Sequence, residues 1–161
     1  MKPQRIISLL LVFWTGCLFM QAQKIVKDSI RIQGHQRHFT MYLPDGMPEQ
    51  APLVFVLHGY GNNGKIKTWM NGAADRHKFA LCVPVGLEDP RKKRSWNVGY
   101  PFQEGWEIDD VKTMCTMAKY VQKKYRLSKK NTFLTGMSNG GEMCYLLAYS
   151  KQKTFKALGS L

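Results

Sequence analysis

The stretch Thr132-Phe133-Leu134-Thr135-Gly136-Met137-Ser138-Asn139-Gly140-Gly141-Glu142-Met143 decides how this chain is read. Thr132 to Thr135 is a short β-prone run, Gly136 to Gly141 reads as a turn, and Glu142 to Ser150 as a helix. A Gly-x-Ser-x-Gly match between strand and helix has a physical cause. Its glycines remove side chains where strand and helix must approach, and its serine takes strained backbone angles. Ser138 then projects from the end of a sheet beside a helix N-terminus, where unpaired N–H groups and the dipole favour an oxyanion. A bare match arises often by chance. The strand before it, the helix after it and a His58-Gly59 pair ending an earlier strand make this one informative.

Working outward, Leu53-Val54-Phe55-Val56-Leu57 is continuously apolar rather than alternating, as expected for a strand covered on both faces of a mostly parallel sheet. Residues Lys65 to His77 predict a helix and Phe79 to Val85 another buried strand, which together complete a βαβ unit. Before them, Ile25 to Ile32 and His38 to Leu43 predict an antiparallel hairpin. The segment Glu88 to Gly105 reads as a long loop, and its basic run Arg91-Lys92-Lys93-Arg94 as solvated surface. Ile108 to Tyr125 carries apolar residues at three- and four-residue spacing, the stripe of an amphipathic helix. Asp109 and Asp110 at its start and Lys123, Lys124 and Arg126 at its end match the helix dipole. The predicted class is α/β.

The chain resembles the secreted esterases of the α/β-hydrolase fold that include polyhydroxybutyrate depolymerase-like proteins and the feruloyl and acetylxylan esterases of carbohydrate esterase family 1. The resemblance is carried by Leu57-His58-Gly59-Tyr60-Gly61, by Asp109-Asp110-Val111, by Tyr125, and by Thr135 to Met143. It implies a mostly parallel sheet flanked by helices and a covalent acyl-enzyme on Ser138. The oxyanion donors it implies are the N–H groups of Asn139 and Tyr60, and one such donor is worth about 3 kcal/mol of barrier. Gly136 and Gly140 support the turn. His58 and Gly59 shape the oxyanion loop, so His58 is not expected to act as the base. Trp96, followed by Asn97, resembles a Trp-Asn element near the family's active site and reads either as an aromatic wall for an acyl or sugar group or as core packing.

In α/β-hydrolases the serine is followed along the chain by an acidic residue and then a histidine. Between Ser138 and Leu161 there is no Asp and no His, and Glu142 lies too close to the serine to serve. The chain therefore reads as an N-terminal portion ending after the nucleophile helix, within a strand at Phe155 to Leu161 that would form an uncovered edge. Little ester hydrolysis is expected of it alone. The rival readings are a prolyl-oligopeptidase-type serine peptidase and a non-catalytic carbohydrate-binding protein.

The 161 residues carry a net charge of +13, spread along the chain rather than clustered, so nucleic acid is not an expected partner; an acylated polysaccharide or small ester is. Lys2 and Arg5 before the apolar run Ile6 to Met20, with Ala22 at a cleavage point, read as a signal peptide over residues 1–22. The domain would then span 23–161, in a secreted or periplasmic protein. Membrane attachment is expected only if the leader is retained or Cys17 is lipidated. Cys82, Cys115 and Cys144 read as small apolar residues rather than a disulfide or metal set. No spacing suggests a metal, and no cofactor is implied.

Overall fold

A computed structural model gives the fold and describes residues 24–65 and 70–161. The expected leader, with Cys17, lies outside the described residues. So do positions 66–69 of the expected helix.

Six strands form one sheet in the order β1-β2-β4-β3-β7-β8. β1 (Lys24–Ile32) and β2 (His35–Leu43) form the expected hairpin. It is longer than its apolar pattern suggests, because Gln33 and Gly34 both take positive φ, 52° and 80°. That pair makes a tight turn whose twist suits a hairpin, so pairing continues into the polar residues His35 and Gln36. β2 runs antiparallel to β4 (Ala80–Pro84), and from there the ladders are parallel: β4 with β3 (Leu53–Leu57), β3 with β7 (Thr132–Gly136), and β7 with β8 (Ala157–Ser160).

The apolar run of β3 is covered on both sides, as its pattern demands. Leu53, Phe55 and Leu57 belong to a large core with Met114, Met117, Val121, Met143 and Leu147, contributed by α2 (Asp110–Lys124) and α3 (Asn139–Tyr149). Val54 and Val56 pack on the other face with Leu81, Tyr42 and Ala74, the last from α1 (Asn71–His77). The α/β prediction with helices on both faces of a largely parallel sheet holds.

Several expectations need correction. The described part of the first helix is only Asn71–His77, and Lys65, its expected start, lies in irregular chain after Gly64 at φ +63°. The long segment after β4 is not structureless. It carries a small ribbon, β5 (Leu87–Glu88) with β6 (Arg94–Ser95), and a 3-10 turn at Pro101–Gln103. Arg91 is not merely solvated, because its guanidinium lies 3.9 Å above the Phe102 ring. The last helix starts at Asn139, three residues earlier than expected, and the last strand is only four residues long, although it lies at the sheet edge as expected. Asp109 caps α2 by accepting from the Lys112 N–H at 2.8 Å, whereas Asp110 turns inward to Arg37.

Candidate active site

β7 ends at Gly136, and the chain reverses into α3 within two residues. Ser138 sits at the reversal with φ +54° and ψ −123°, angles that L-residues avoid at a cost of about 1–3 kcal/mol. The surroundings over-determine that conformation. The Ser138 N–H donates to Leu161 O at 3.0 Å, the Met137 N–H to Leu57 O at 3.3 Å, the Gly140 N–H to Met137 O at 3.0 Å and the Glu142 N–H to Ser138 O at 2.9 Å. Close backbone approach explains the glycines. A Cβ on Gly136 would lie 2.3 Å from Gly140 O, and one on Gly140 would lie 2.7 Å from Leu57 O.

The Ser138 side chain is exposed and, among the described residues, has no hydrogen-bond partner. It faces the loop after β3, since a Cβ built on Gly59 would lie 3.5 Å from Ser138 Cβ. Beside it opens a hollow of about 640 Å³ lined by Gly59, Tyr60, Gly61, Asn63, Met137 and Leu161, among others. Tyr60 follows Gly59 in this loop and Asn139 follows Ser138 in the chain, and the backbone N–H of neither has a partner among the described residues. Asn139 heads α3, where intrahelical partners for N–H groups run out.

His58 directly follows β3. Both its ring nitrogens are occupied: Nδ1 lies 2.8 Å from Gly59 O, and Nε2 accepts the Gly86 N–H at 2.9 Å. These contacts make Nδ1 the protonated nitrogen. Burial pulls the imidazole below its ordinary pKa, against the Gly59 hydrogen bond that raises it. His58 is thus fixed as a neutral strut. The other described histidines, His35 and His38 on β2 and His77 on α1, are exposed.

Of the two readings of Trp96, aromatic wall and core packing, the structure shows the second. Trp96 has no exposed surface, its Nε1–H donates to His58 O at 2.9 Å, and its ring lies 4.9 Å from the His58 ring. Its backbone clasps the Asn139 side chain: the Trp96 N–H donates to Oδ1 at 2.8 Å, and Nδ2 donates to Trp96 O at 3.1 Å. Trp96 therefore ties the His58 loop to the head of α3 from within the core. Asn97 is also structural, its amide donating to the Trp106 and Ile108 carbonyls.

The aromatic surface near the site lies elsewhere, in the ring of Tyr60 and in Tyr100 and Phe102, to which the sequence assigned no such role. Tyr60, Tyr100 and Phe102 form a partly exposed cluster with ring centroids 5.1–6.4 Å apart. The Tyr100 hydroxyl donates to Glu142 in the first turn of α3. The Tyr-Pro-Phe sequence at 100–102 was the available signal, but nothing in it tells which ring meets Tyr60.

Residues 30–161 match the family described as "Putative esterase". The chain belongs to this family. Feruloyl esterase B of Neurospora crassa is 27% identical over 123 residues, 72% of this chain and 40% of that protein. Feruloyl esterase B of Thermothelomyces thermophilus is 25% identical over 148 residues, 88% and 48% respectively. The chain thus spans less than half the length of these relatives. Among solved structures, an acetyl xylan esterase from Aspergillus awamori aligns with a TM-score of 0.68 at 15% identity, over 84% of this chain and 52% of that one. A cold-adapted esterase from an Arctic intertidal metagenomic library aligns with a TM-score of 0.60 at 18% identity, over 88% and 62%. These likenesses establish the α/β-hydrolase fold.

Proposed function

We propose that this chain carries the nucleophile half of a serine carboxylic ester hydrolase acting on acyl esters of plant polysaccharides or similar esters. The observation that carries the reading is Ser138: an exposed side chain at φ +54°, heading an 11-residue helix and facing the Gly59-Tyr60 loop, with the Asn139 and Tyr60 N–H groups unpartnered among the described residues. Attack of Oγ on an ester carbonyl puts negative charge on the carbonyl oxygen, and the Asn139 and Tyr60 N–H groups are disposed to receive it. Because these donors are held by the fold, they need little reorganisation as charge develops. The Trp96–Asn139 clasp and the His58 strut hold the two donor-bearing segments together. The feruloyl and acetylxylan esterase names of the relatives support the substrate class.

The hydroxyl still needs a base, and His58 has no nitrogen free for it. Catalysis at full rate then draws on a base other than His58. For the 161-residue polypeptide, hydrolysis of 4-nitrophenyl acetate is expected to be slow, at most the roughly 10³–10⁴-fold over water that binding and oxyanion donors supply without a complete triad. Whatever turnover exists, and labelling by a fluorophosphonate, should vanish in Ser138→Ala. Labelling undiminished in that variant would refute the assignment. Residues 1–22 are proposed to direct export, with intact mass distinguishing cleavage after Ala22 from lipid attachment at Cys17.

A further inference from the structure

At the end of the sheet opposite Ser138 lies a second open hollow of about 800 Å³. Five exposed cations line it: Lys119 and Lys123 on α2, Arg126 just past its end, Lys129 before β7 and Lys153 before β8. No Asp or Glu lines it. The ion pairs among the described residues, Arg37–Asp110 and Lys124–Asp28, involve none of the five. Lys123 has a local role, since cations near a helix C-terminus offset the dipole. Lys129 and Lys153 have no such role, because they come from separate loops. Like charges gathered round one hollow repel each other, and an anionic ligand reverses the sign of that interaction.

We propose that this hollow is an attachment site for an anionic polysaccharide, a chain bearing uronate carboxylates. The cations come from three segments, and the two on α2 are about 6 Å apart along the helix axis, one turn. Exposed and spread round an open hollow, they suit charges repeated along a polymer, whereas a single small anion is held by a tight, buried cage. The Gln50 amide and the Thr154 side chain also line the hollow and offer groups for sugar hydroxyls. No aromatic ring lines it for a nucleobase to stack on. Its one apolar lining residue, Leu127, is buried and cannot anchor in a membrane. The five-residue β7 separates this end from Ser138 by roughly 16 Å. The site therefore holds the polymer without touching the reacting ester. The choice of a carbohydrate rests on the ester-hydrolase reading; the charge of the hollow does not.

The test is binding of the whole chain to polygalacturonate, neutral arabinoxylan, single-stranded DNA and phosphatidylglycerol vesicles at low ionic strength. Polygalacturonate should bind best, and added salt should weaken it. Lys119→Gln/Lys123→Gln/Arg126→Gln/Lys129→Gln should weaken it about tenfold. The charge-matched control Lys24→Gln/Lys27→Gln/Lys92→Gln/Lys93→Gln should weaken it less than about threefold. Lys129→Glu/Lys153→Glu serves as a second variant that leaves α2 untouched. Equal losses in hollow and control variants would show net charge alone at work. No binding to polygalacturonate, or tighter binding to DNA or vesicles, would also overturn the proposal. Ser138→Ala should bind normally, so failure of the ester-hydrolase reading and failure of this one register separately.

Discussion

Gly140 shows how one hydrogen atom can decide a site. A Cβ there would meet Leu57 O at 2.7 Å and His58 O at 2.8 Å, both backbone atoms that cannot swing aside. Gly140→Ala is expected to cost about 3 kcal/mol of stability and to disturb the reversal that presents Ser138, as urea denaturation and fluorophosphonate labelling would show. His58 makes a pH prediction with a definite sign. Its folded pKa lies below the ordinary 6.5, so the unfolded chain takes the proton first. Its contribution to stability is therefore complete above about pH 6.5 and is lost as pH falls through the lower folded value. Thermal midpoints should drop from pH 7 to pH 5, and that slope should flatten in His58→Gln; an unchanged slope would show that His58 is not responsible. The strain at Ser138 was legible from the spacing of Gly136, Ser138 and Gly140. The role of Trp96 was not, because an indole beside an active site and an indole beneath one share the same sequence context.

At the scale of elements, the start of α2 is held by more than its dipole. Asp110 is buried, pairs with Arg37 Nη2 at 2.5 Å and accepts the Asn97 N–H at 2.8 Å. This one carboxylate links α2, β2 and the loop that carries Trp96. Burial pushes its pKa up, against the Arg37 charge and the Asn97 hydrogen bond that pull it down. Asp110→Asn would strand the Arg37 charge in the core and should cost about 3–5 kcal/mol, whereas Arg37→Met/Asp110→Leu should recover much of that loss. Equal losses in both, measured by chemical denaturation, would assign the effect to packing. From sequence, Asp109 and Asp110 look equivalent as acidic residues at a helix start. Only the packing separates a capping aspartate from one paired with a residue 73 positions earlier. The apolar stripe of α2 was readable because it repeats every turn, and β3 because both its faces are covered.

Across the whole molecule, the thiols report how tightly the core is closed. Cys82 is fully buried and its thiol is pushed well up by desolvation. Burial raises Cys144 to about 11, whereas Cys115 is only half-buried. A maleimide followed by peptide mapping should modify Cys115 first and reach Cys82 and Cys144 only when denaturant opens the sheet; early modification of Cys82 would contradict the packing. By itself the sequence determined the α/β class, the succession along the chain of the main-sheet strands and the helices, and the turn that lifts Ser138, because periodicity, β-branched runs and glycine spacing act over a few neighbouring residues. Only the tertiary structure decided that Trp96 is a buried strut, that Asp110 pairs with Arg37, and that Lys153 joins Lys119, Lys123, Arg126 and Lys129 round one hollow. Those relations join residues tens of positions apart, and what sets them is which faces the sheet brings together.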